Sequence, residues 1–579
     1  MRELSSILPY VRPYRSGILI GVVCVVLANA FQIAGPWFLK LGIDALEQPG
    51  VTRGTIAFYA LMVVASAGIG GVFRFGMRQY LNGISRRIET DLRDDFFQHL
   101  LTLGATFYGS TRTGDLMSRA TNDTLAVRMA VGPAVMYTVN TVASFIFALG
   151  FMLVISPRLT VYAMLPMLVL PPIVLFFGRI IHRRFEEIQE QFSSLSTFVQ
   201  ENLSGVRLVR AYTQEEEQAR QFDGFNDDYR ERNMRLVMTA GAFHPLLMMI
   251  SGLALVAVTG LGALEVMENR MSVGDFVAFT FYLTLLIWPM IALGWVVNLY
   301  QRGAASMGRL NRILEASPAV PAPANPVSLV DTRGSIEFRN VSFAYPGTEH
   351  PVLSDISFSV SAGQTVAIVG PTGAGKSTLI ALMARLYDPT DGQILIDGIP
   401  LTTVNPAALR ARIGMVPQDP FLFSDTIEHN IGFERPEDTI RTSAKVAKLH
   451  EQILQFPRGY ETVLGERGIN LSGGQKQRAT LARALARDPL ILILDDALSA
   501  VDTHTEAAIL EDLRAETGRR TAFIVSHRAS AVMDSDVILV LERGRIVESG
   551  RHTELVEAGQ TYARLVRRQL LEESLANAD

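Results

Sequence analysis

The sequence predicts a multi-domain chain in which an all-α membrane domain of six helices with long helical extensions precedes an α/β domain. Three observations predict this fold class. Six long apolar segments lie in the first half, a proline-rich stretch follows them, and short apolar runs then alternate with helical segments and glycine-rich turns. With 579 residues, the chain is long enough for several domains.

Composition narrows the functional classes. Charged residues make up 19% of the chain, against about 25% in soluble proteins, and the deficit lies in the first half. A net charge of −4 argues against a nucleic acid as partner. The single cysteine, Cys24, excludes an internal disulfide and a cysteine-based metal cluster.

Each of the six apolar segments is long enough to cross a hydrocarbon layer of about 30 Å. Buried helices of a soluble protein would be shorter and would keep a polar stripe. The predicted spans are 17–39, 55–73, 129–157, 159–178, 236–264 and 276–301. We therefore expect a transmembrane domain over residues 1–316, surrounded by membrane lipid.

The loops between the spans predict the topology. Loops 74–128 and 179–235 carry eight and nine arginines, whereas the other loops are short and poor in basic residues. The positive-inside rule places the two long loops and both termini in the cytosol of a multi-pass cell (inner) membrane protein.

Both long loops are helix-forming, with breaks near 104–114 and 211–217. Helices of about 25 residues would project nearly 40 Å from the membrane and end in a turn suited to contact another domain. Ordinary surface helical hairpins would have the same pattern.

Residues 317–334 are predicted to be a linker, because 317–326 contains four prolines and favours a semi-rigid extended chain. The α/β domain is expected over 335–567, and a C-terminal tail over 568–579.

A glycine-rich loop between a predicted strand (365–369) and a predicted helix (378–386) indicates a phosphate site. The glycines let backbone N–H groups approach phosphates, Lys376 reaches the β- and γ-phosphates, and the Ser377 hydroxyl ligates Mg²⁺. ATP and Mg²⁺ are therefore the expected cofactors. The loop and its first helical turn comprise Gly370, Pro371, Thr372, Gly373, Ala374, Gly375, Lys376, Ser377 and Thr378.

Two further features are typical of phosphate chemistry. The apolar run 490–494 ends in Asp495 and Asp496, as a buried parallel strand ends at an active site. Asp495 is expected to supply a carboxylate for the metal, either as a direct ligand or through a water. Upstream, a small polar motif directly precedes the predicted helix 476–486, and a helix N-terminus can bind anions. The motif is Leu471, Ser472, Gly473, Gly474 and Gln475. Each feature alone also suits a flexible turn or a solvated cap, but together with the glycine-rich loop they favour a nucleotide site.

In this order the motifs resemble those of ATP-binding cassette (ABC) transporters, and the chain resembles an exporter-type half-transporter of the type IV fold. The resemblance implies a RecA-like nucleotide-binding domain with a helical subdomain. It makes 471–475 the signature motif and 499–502, ending in Asp502, the D-loop. It also implies that Tyr345 stacks on adenine, that Gln418 contacts Mg²⁺ and that His527 contacts the γ-phosphate.

Two loop assignments also rest on the resemblance. Residues 465–468 resemble the X-loop of exporters. The breaks in the long loops resemble coupling helices, with contact residues Phe107, Tyr108, Tyr212 and Thr213.

The chain holds one P-loop and one signature motif. In the family each nucleotide lies between the P-loop of one subunit and the signature of the other, so the resemblance implies a second half-transporter subunit as partner. It also implies transport by alternating access.

One position departs from the family pattern. Most members place Glu, which activates the attacking water, where this chain has Asp496. Asp is shorter by one methylene, about 1–1.5 Å, and a misplacement of about 1 Å can cost on the order of 100-fold in rate. We therefore expect the site at this chain's own P-loop to hydrolyse ATP poorly.

The signature motif 471–475 is intact, and in the family this motif contributes to the nucleotide site at the partner's P-loop. This combination resembles the degenerate-site subunit of heterodimeric bacterial multidrug exporters such as TmrAB, whose partner supplies the catalytic Glu. The alternative is a homodimeric exporter or lipid flippase that uses Asp496 as a weak base.

The spans predict hydrophobic or amphipathic cargo such as drugs, peptides or lipids, because they hold aromatic and neutral polar groups but almost no charge. Arg74 and Arg78, at the cytosolic end of the second span, are candidates to meet phosphates or acidic cargo. A type-IV-fold importer, which shares every ATPase motif, and an ATP-gated channel remain alternatives. The aromatic and polar groups are Phe31, Trp37, Tyr137, Phe145, Trp288, Trp295, Asn29, Gln32, Asn140 and Asn298.

Overall fold

The computed structural model describes residues 2–348, 350–465, 468, 470–517 and 520–576. The chain forms two compact units. One comprises Met1–Leu101 and Thr113–Ala316, and the other comprises Thr102–Arg112 and Ser317–Asp579.

The first unit is helical throughout its described elements, and six continuous helical runs are long and apolar enough to cross a membrane, which confirms the predicted six-helix domain. Those runs are Ser5–Leu46, Arg53–Thr102, Thr113–Ile155, Pro157–Ser204, Glu215–Met267 and Val273–Leu314.

The α-helices of this part of the chain begin after a 3₁₀ turn at Arg2–Ile7, and a second 3₁₀ turn, Arg12–Tyr14, follows the first helix. Single π-helical turns at Arg78–Asn82 and Arg119–Asp123 interrupt two of the runs. The helices are α1 Leu8–Val11, α2 Arg15–Leu46, α3 Arg53–Met77, α4 Gly83–Thr102, α5 Ala105–Ser110, α6 Thr113–Ser118, α7 Thr124–Val131, α8 Pro133–Ile155, α9 Pro157–Met167, α10 Leu170–Ser204, α11 Val206–Ala211, α12 Glu215–Met267 and α13 Val273–Leu314.

The third apolar run ends at Ile155, two residues before the predicted end of the span. Ser156 is extended (φ −151°), and its hydroxyl accepts the N–H of Leu159. Ser156 therefore caps α9, and Pro157 occupies its first turn, where a missing N–H costs nothing.

Glycines let α2 and α3 pack closely as an antiparallel pair. A Cβ on Gly21 would lie 2.7 Å from the Leu81 side chain, and one on Gly76 would lie 3.2 Å from the Cys24 sulfur. Small residues at such contacts are typical of membrane helix pairs.

A polar cluster joins α2 to α8. The Asn29 amide donates to Asn140 Oδ1 at 3.0 Å, and the Ser144 hydroxyl donates to Asn29 Oδ1. Asn29 is only 2% exposed, so Asn29 and Asn140, two of the predicted cargo contacts, bond to each other in helix packing.

The second unit holds two sheets. The smaller is antiparallel in the order β2-β1-β4-β5, and the larger has the order β10-β9-β3-β8-β7-β6 and is parallel except for β10. The strands are β1 Ile336–Phe343, β2 Leu353–Val360, β3 Thr365–Val369, β4 Asp391–Ile396, β5 Ile399–Pro400, β6 Ile413–Val416, β7 Ile491–Asp495, β8 Thr521–Val525, β9 Val537–Glu542 and β10 Arg545–Gly550.

Strands β3, β7 and β8 are almost wholly buried, as expected for parallel strands covered on both faces. Helices between β6 and β7 form the helical subdomain, which confirms the predicted α/β fold with that subdomain. The helices of this unit are α14 Lys376–Met383, α15 Pro406–Ala411, α16 Ile427–Gly432, α17 Glu437–Val446, α18 His450–Leu454, α19 Gly473–Ala486, α20 Thr503–Thr517, α21 Ala529–Val532, α22 His552–Glu557 and α23 Thr561–Ala576.

Candidate nucleotide site

Four neighbouring parallel strands end at one edge of the larger sheet. In the order β3, β8, β7 and β6 they are followed by the glycine-rich loop, His527, Asp496 and Gln418. Adjacent strands lie about 4.8 Å apart. The sheet topology therefore brings together residues that are far apart in sequence.

Two glycines of the loop adopt conformations that a side chain would prevent. Gly370 has φ +154°, and a Cβ there would lie 2.2 Å from the Leu541 carbonyl oxygen. Gly375 has φ +101° and precedes α14. The backbone N–H groups of the loop and of the helix N-terminus are thus available to an anion.

Lys376 lies inside the loop and is 8% exposed. Its ammonium donates to the carbonyl oxygens of Gly370 at 2.7 Å and Pro371 at 3.0 Å. Burial lowers the pKa of Lys376, while the charges of Asp495 and Asp496 oppose that shift. Negatively charged phosphate oxygens would bind this ammonium more strongly than the two neutral carbonyls do.

The expected metal ligands contact each other, because the Ser377 and Asp495 side chains share a hydrogen bond. Burial raises the pKa of Asp495, and the neighbouring Asp496 adds to the shift, while Ser377 and Lys376 oppose it. A cation here would favour the ionised carboxylate.

These residues fit a nucleotide-bound Mg²⁺ ion. Magnesium at such sites takes one or two protein ligands and completes its shell with phosphates and water. The described residues contain no group of three or more His, Cys, Asp or Glu side chains that could hold a metal without a nucleotide.

The backbone at Asp496 is fixed by hydrogen bonds. Its N–H donates to the Val525 carbonyl at 2.9 Å, and its carbonyl accepts from the Ser499 hydroxyl at 3.0 Å. Asp496 also has φ +47°, in the left-handed region that Asp adopts more readily than most other non-glycine residues. A shift of the Asp496 backbone would break these hydrogen bonds.

Tyr345 lies beside the first turn of α14. Its hydroxyl is 3.0 Å from Thr378 Oγ1, and its ring contacts Phe343 and Tyr387 edge-to-face at centroid distances of 5.0 and 5.3 Å. The aromatic cluster orients the ring next to the phosphate loop. Sequence analysis missed Tyr387, which follows α14 outside any motif.

His527 and Gln418 are exposed at the ends of their strands. Burial raises the pKa of Asp495 and a charge on His527 opposes that rise, so the two side chains lie close enough to interact. His527 also lines a cavity of about 260 Å³ with Gly370, Pro371, Thr372 and residues of α23.

The signature motif forms the N-terminus of α19 with a reciprocal cap. The Ser472 hydroxyl accepts the Gln475 N–H at 3.3 Å, and Gln475 Oε1 accepts the Ser472 N–H at 3.0 Å. Ser472 and Gly473 are exposed, while Leu471 is buried. The helix end is thus ordered and open on its outer side.

Gly474 packs against the D-loop, since a Cβ there would lie 2.7 Å from the Ala500 carbonyl oxygen. Sequence analysis missed two side chains that hold this loop. Gln477 accepts the Ala500 N–H at 2.8 Å, and Arg528 donates to the carbonyls of Ser499 and Val501 at 2.9 and 3.1 Å. Gln477 is a polar residue on a helix face of buried Ala and Leu, and this break in the apolar pattern could have identified it from the sequence.

Asp502 caps α20 within its own chain, because its carboxylate accepts the Thr505 N–H at 2.9 Å. That hydrogen bond keeps the pKa of Asp502 below its usual range. Of the predicted X-loop, Glu466 and Arg467 lie outside the described residues.

Comparison with known proteins agrees with this geometry. Residues 18–290 match the family described as "ABC transporter transmembrane region", and residues 353–499 match the family described as "ABC transporter". The chain is 38% identical to the Bacillus subtilis "Probable multidrug resistance ABC transporter ATP-binding/permease protein YheI", over 95% of each chain. It is 37% identical to the Escherichia coli "Multidrug resistance-like ATP-binding protein MdlA", over 100% of this chain and 98% of that one.

Among solved structures, a bacterial Atm1-family ABC exporter with ATP bound superposes with a TM-score of 0.80 at 29% identity, over 96% of this chain and 98% of that chain. These similarities support ATP binding, ATP-driven export and function as a dimer in the inner membrane. The chain belongs to the ABC transporter family, with a transmembrane domain and an ATP-binding domain of the exporter type.

Proposed function

We propose that this chain is the degenerate-site half of a heterodimeric ABC exporter that moves hydrophobic or amphipathic compounds out of the cytosol. Its partner is a second half-transporter that supplies the catalytic Glu. Both termini and the nucleotide-binding domain (335–567) lie on the cytosolic side, and the linker 317–334 joins that domain to the membrane domain (1–316).

The observation that carries the proposal is Asp496 on a fixed backbone. Both its N–H and its carbonyl are hydrogen-bonded, so a backbone shift that compensates for the missing methylene would break these bonds. The carboxylate then falls short of a Glu carboxylate by about 1–1.5 Å, and rate is sensitive to displacements of about 1 Å.

The rest of this chain's own site is complete for binding. Tyr345 supports the adenine, Lys376 neutralises the phosphates, and Ser377 with Asp495 holds Mg²⁺, which supplies charge neutralisation when bound. Gln418 and His527 lie at the same edge of the larger sheet and would contact the γ-phosphate and its metal ion. This site therefore binds ATP and hydrolyses it slowly.

The signature of this chain serves the partner's P-loop. Its capped, exposed helix end at Ser472 presents N–H groups to a phosphate. ATP-driven closure of the two nucleotide domains then moves the helical extensions, and the breaks near 104–114 and 211–217 transmit that movement to the membrane helices. The names of the multidrug-type relatives support export of such compounds.

The intact mass of the complex tests the heterodimer. We expect that a tag on this chain, expressed with its native neighbouring genes, purifies a complex containing one copy of this chain and one different half-transporter. The chain expressed alone should show an ATPase rate on the order of 100-fold lower than that complex. A homodimer with full ATPase activity would contradict the heterodimer and return catalysis to Asp496.

A further inference from the structure

A cavity of about 400 Å³ lies among α2, α3 and α13 in the membrane unit. Small residues of α2 and α3 create the space, since Gly35, Ala67, Gly70 and Gly71 line it without filling it. Phe31, Leu39, Phe281 and Leu285 make much of its wall apolar. Aromatic Phe31 also stacks on Phe73 at 5.8 Å, which fixes that wall.

One lining side chain is a cation. The Arg74 guanidinium donates to Gln32 Oε1 on the neighbouring helix α2. The Arg74 side chain therefore points back along α3, away from Met77, where this helix ends. Leu46 and Arg53 mark the same end of this antiparallel helix pair. Measured from that end, Arg74 lies about 31 Å along α3, whereas Gln32 lies only about 21 Å along α2. The guanidinium is thus drawn toward the membrane interior instead of extending to the cytosolic surface.

The three helices around this cation carry no acid near it. Segments 4–43, 48–88 and 276–314 contain no Asp or Glu. The nearest acids along the chain are Asp44 on α2, Glu89 on α4 and Asp275 on α13, and none of them lines the cavity. A neutral amide is the hydrogen-bond partner that the structure gives Arg74. A charge at membrane depth is costly and marks a functional pathway unless it is neutralised.

We propose that this cavity binds an amphipathic acid, with the anionic group on Arg74 and Gln32 and the apolar body against Phe31, Leu39, Phe281 and Leu285. Sulfonate, carboxylate and phosphate groups share the chemistry that a guanidinium recognises through paired N–H donors. The inference rests on the proposed export function, because it names the class of cargo that the membrane domain selects.

Two probes that differ by a single sulfonate group test this site. Anilinonaphthalene sulfonate and N-phenylnaphthylamine share one aromatic body, and only the first carries an anion. Binding is titrated by fluorescence to the purified transporter in phosphatidylcholine nanodiscs, with empty nanodiscs subtracted and no nucleotide added. Because this measurement reports binding and not transport, it would still be valid if the protein did not export these compounds.

We expect Arg74→Gln to weaken sulfonate binding by about tenfold or more, because a charge-assisted bond to the anion is lost. Binding of the neutral probe should stay within about twofold, and Arg74→Lys should retain part of the sulfonate affinity. Arg78→Gln is the matched control, since Arg78 lies one turn further along and does not line the cavity. It should leave both probes unchanged.

Unchanged sulfonate binding in Arg74→Gln, or an equal loss for both probes, would overturn the proposal. A second arm adds phosphatidylglycerol to the nanodiscs to distinguish cargo from lipid. We expect no competition with the sulfonate. Competition that disappears in Arg74→Gln would assign the anion site to a lipid head group and overturn its assignment to cargo.

Discussion

Gly474→Asp is expected to reduce steady-state ATP turnover of the assembled transporter by on the order of 100-fold or more. A side chain at this position meets the Ala500 carbonyl oxygen at 2.7 Å, so the D-loop backbone must move. The new carboxylate also places negative charge at a helix N-terminus that serves a phosphate. In the proposed heterodimer, the loss falls on the composite site of the partner's P-loop.

Gly474→Ala is the matched control, because it introduces the same close contact without the charge. We expect it to retain clearly more turnover than Gly474→Asp. Assembly, followed by size-exclusion chromatography, should be normal in both variants. If Gly474→Asp keeps more than half of the wild-type rate, the signature of this chain does not serve a hydrolysing site.

The second large effect is expected for Lys376→Ala. The change removes the ammonium that lies between the carbonyls of Gly370 and Pro371 and with it the charge-assisted bonds that we expect this ammonium to form with the phosphates. ATP affinity at this site should fall by about 1.5–3 kcal/mol, or roughly ten- to a hundredfold. Photolabelling with azido-ATP, resolved by subunit mass, reports binding to this chain separately from its partner.

Lys445→Ala is the control for net charge, since Lys445 is an exposed residue of α17 away from the strand ends. It should label like the wild type. Equal labelling of Lys376→Ala and wild type would remove Lys376 from the nucleotide site.

Motifs predicted the fold and most of the candidate site because their chemistry is local. The P-loop, the acidic strand end and the signature each combine residue types and spacing that few other structures require, and the apolar spans follow from the thickness of the bilayer. The sheet order then explains why the loop after β3, His527, Asp496 and Gln418 share one edge.

The features that the sequence did not predict depend on tertiary contacts. Gln477 and Arg528 hold the D-loop from different elements, and their partners are backbone carbonyls and N–H groups that have no sequence signature. Asn29 and Asn140 resembled cargo contacts because their pairing is visible only across α2 and α8. Arg74 was assigned to the cytosolic boundary from its position in the chain, whereas its side chain turns toward Gln32.

The central claim is that Asp496 does not activate the water in the working transporter, and the steady-state ATPase rate of the complex carrying Asp496→Asn tests it most directly. Asn keeps the size and the backbone hydrogen bonds of Asp496 but cannot accept a proton. A degenerate site predicts a rate within about twofold of wild type, because the partner's site carries the turnover. A fall on the order of 100-fold or more, the loss expected for a general base, would contradict the account and make Asp496 catalytic.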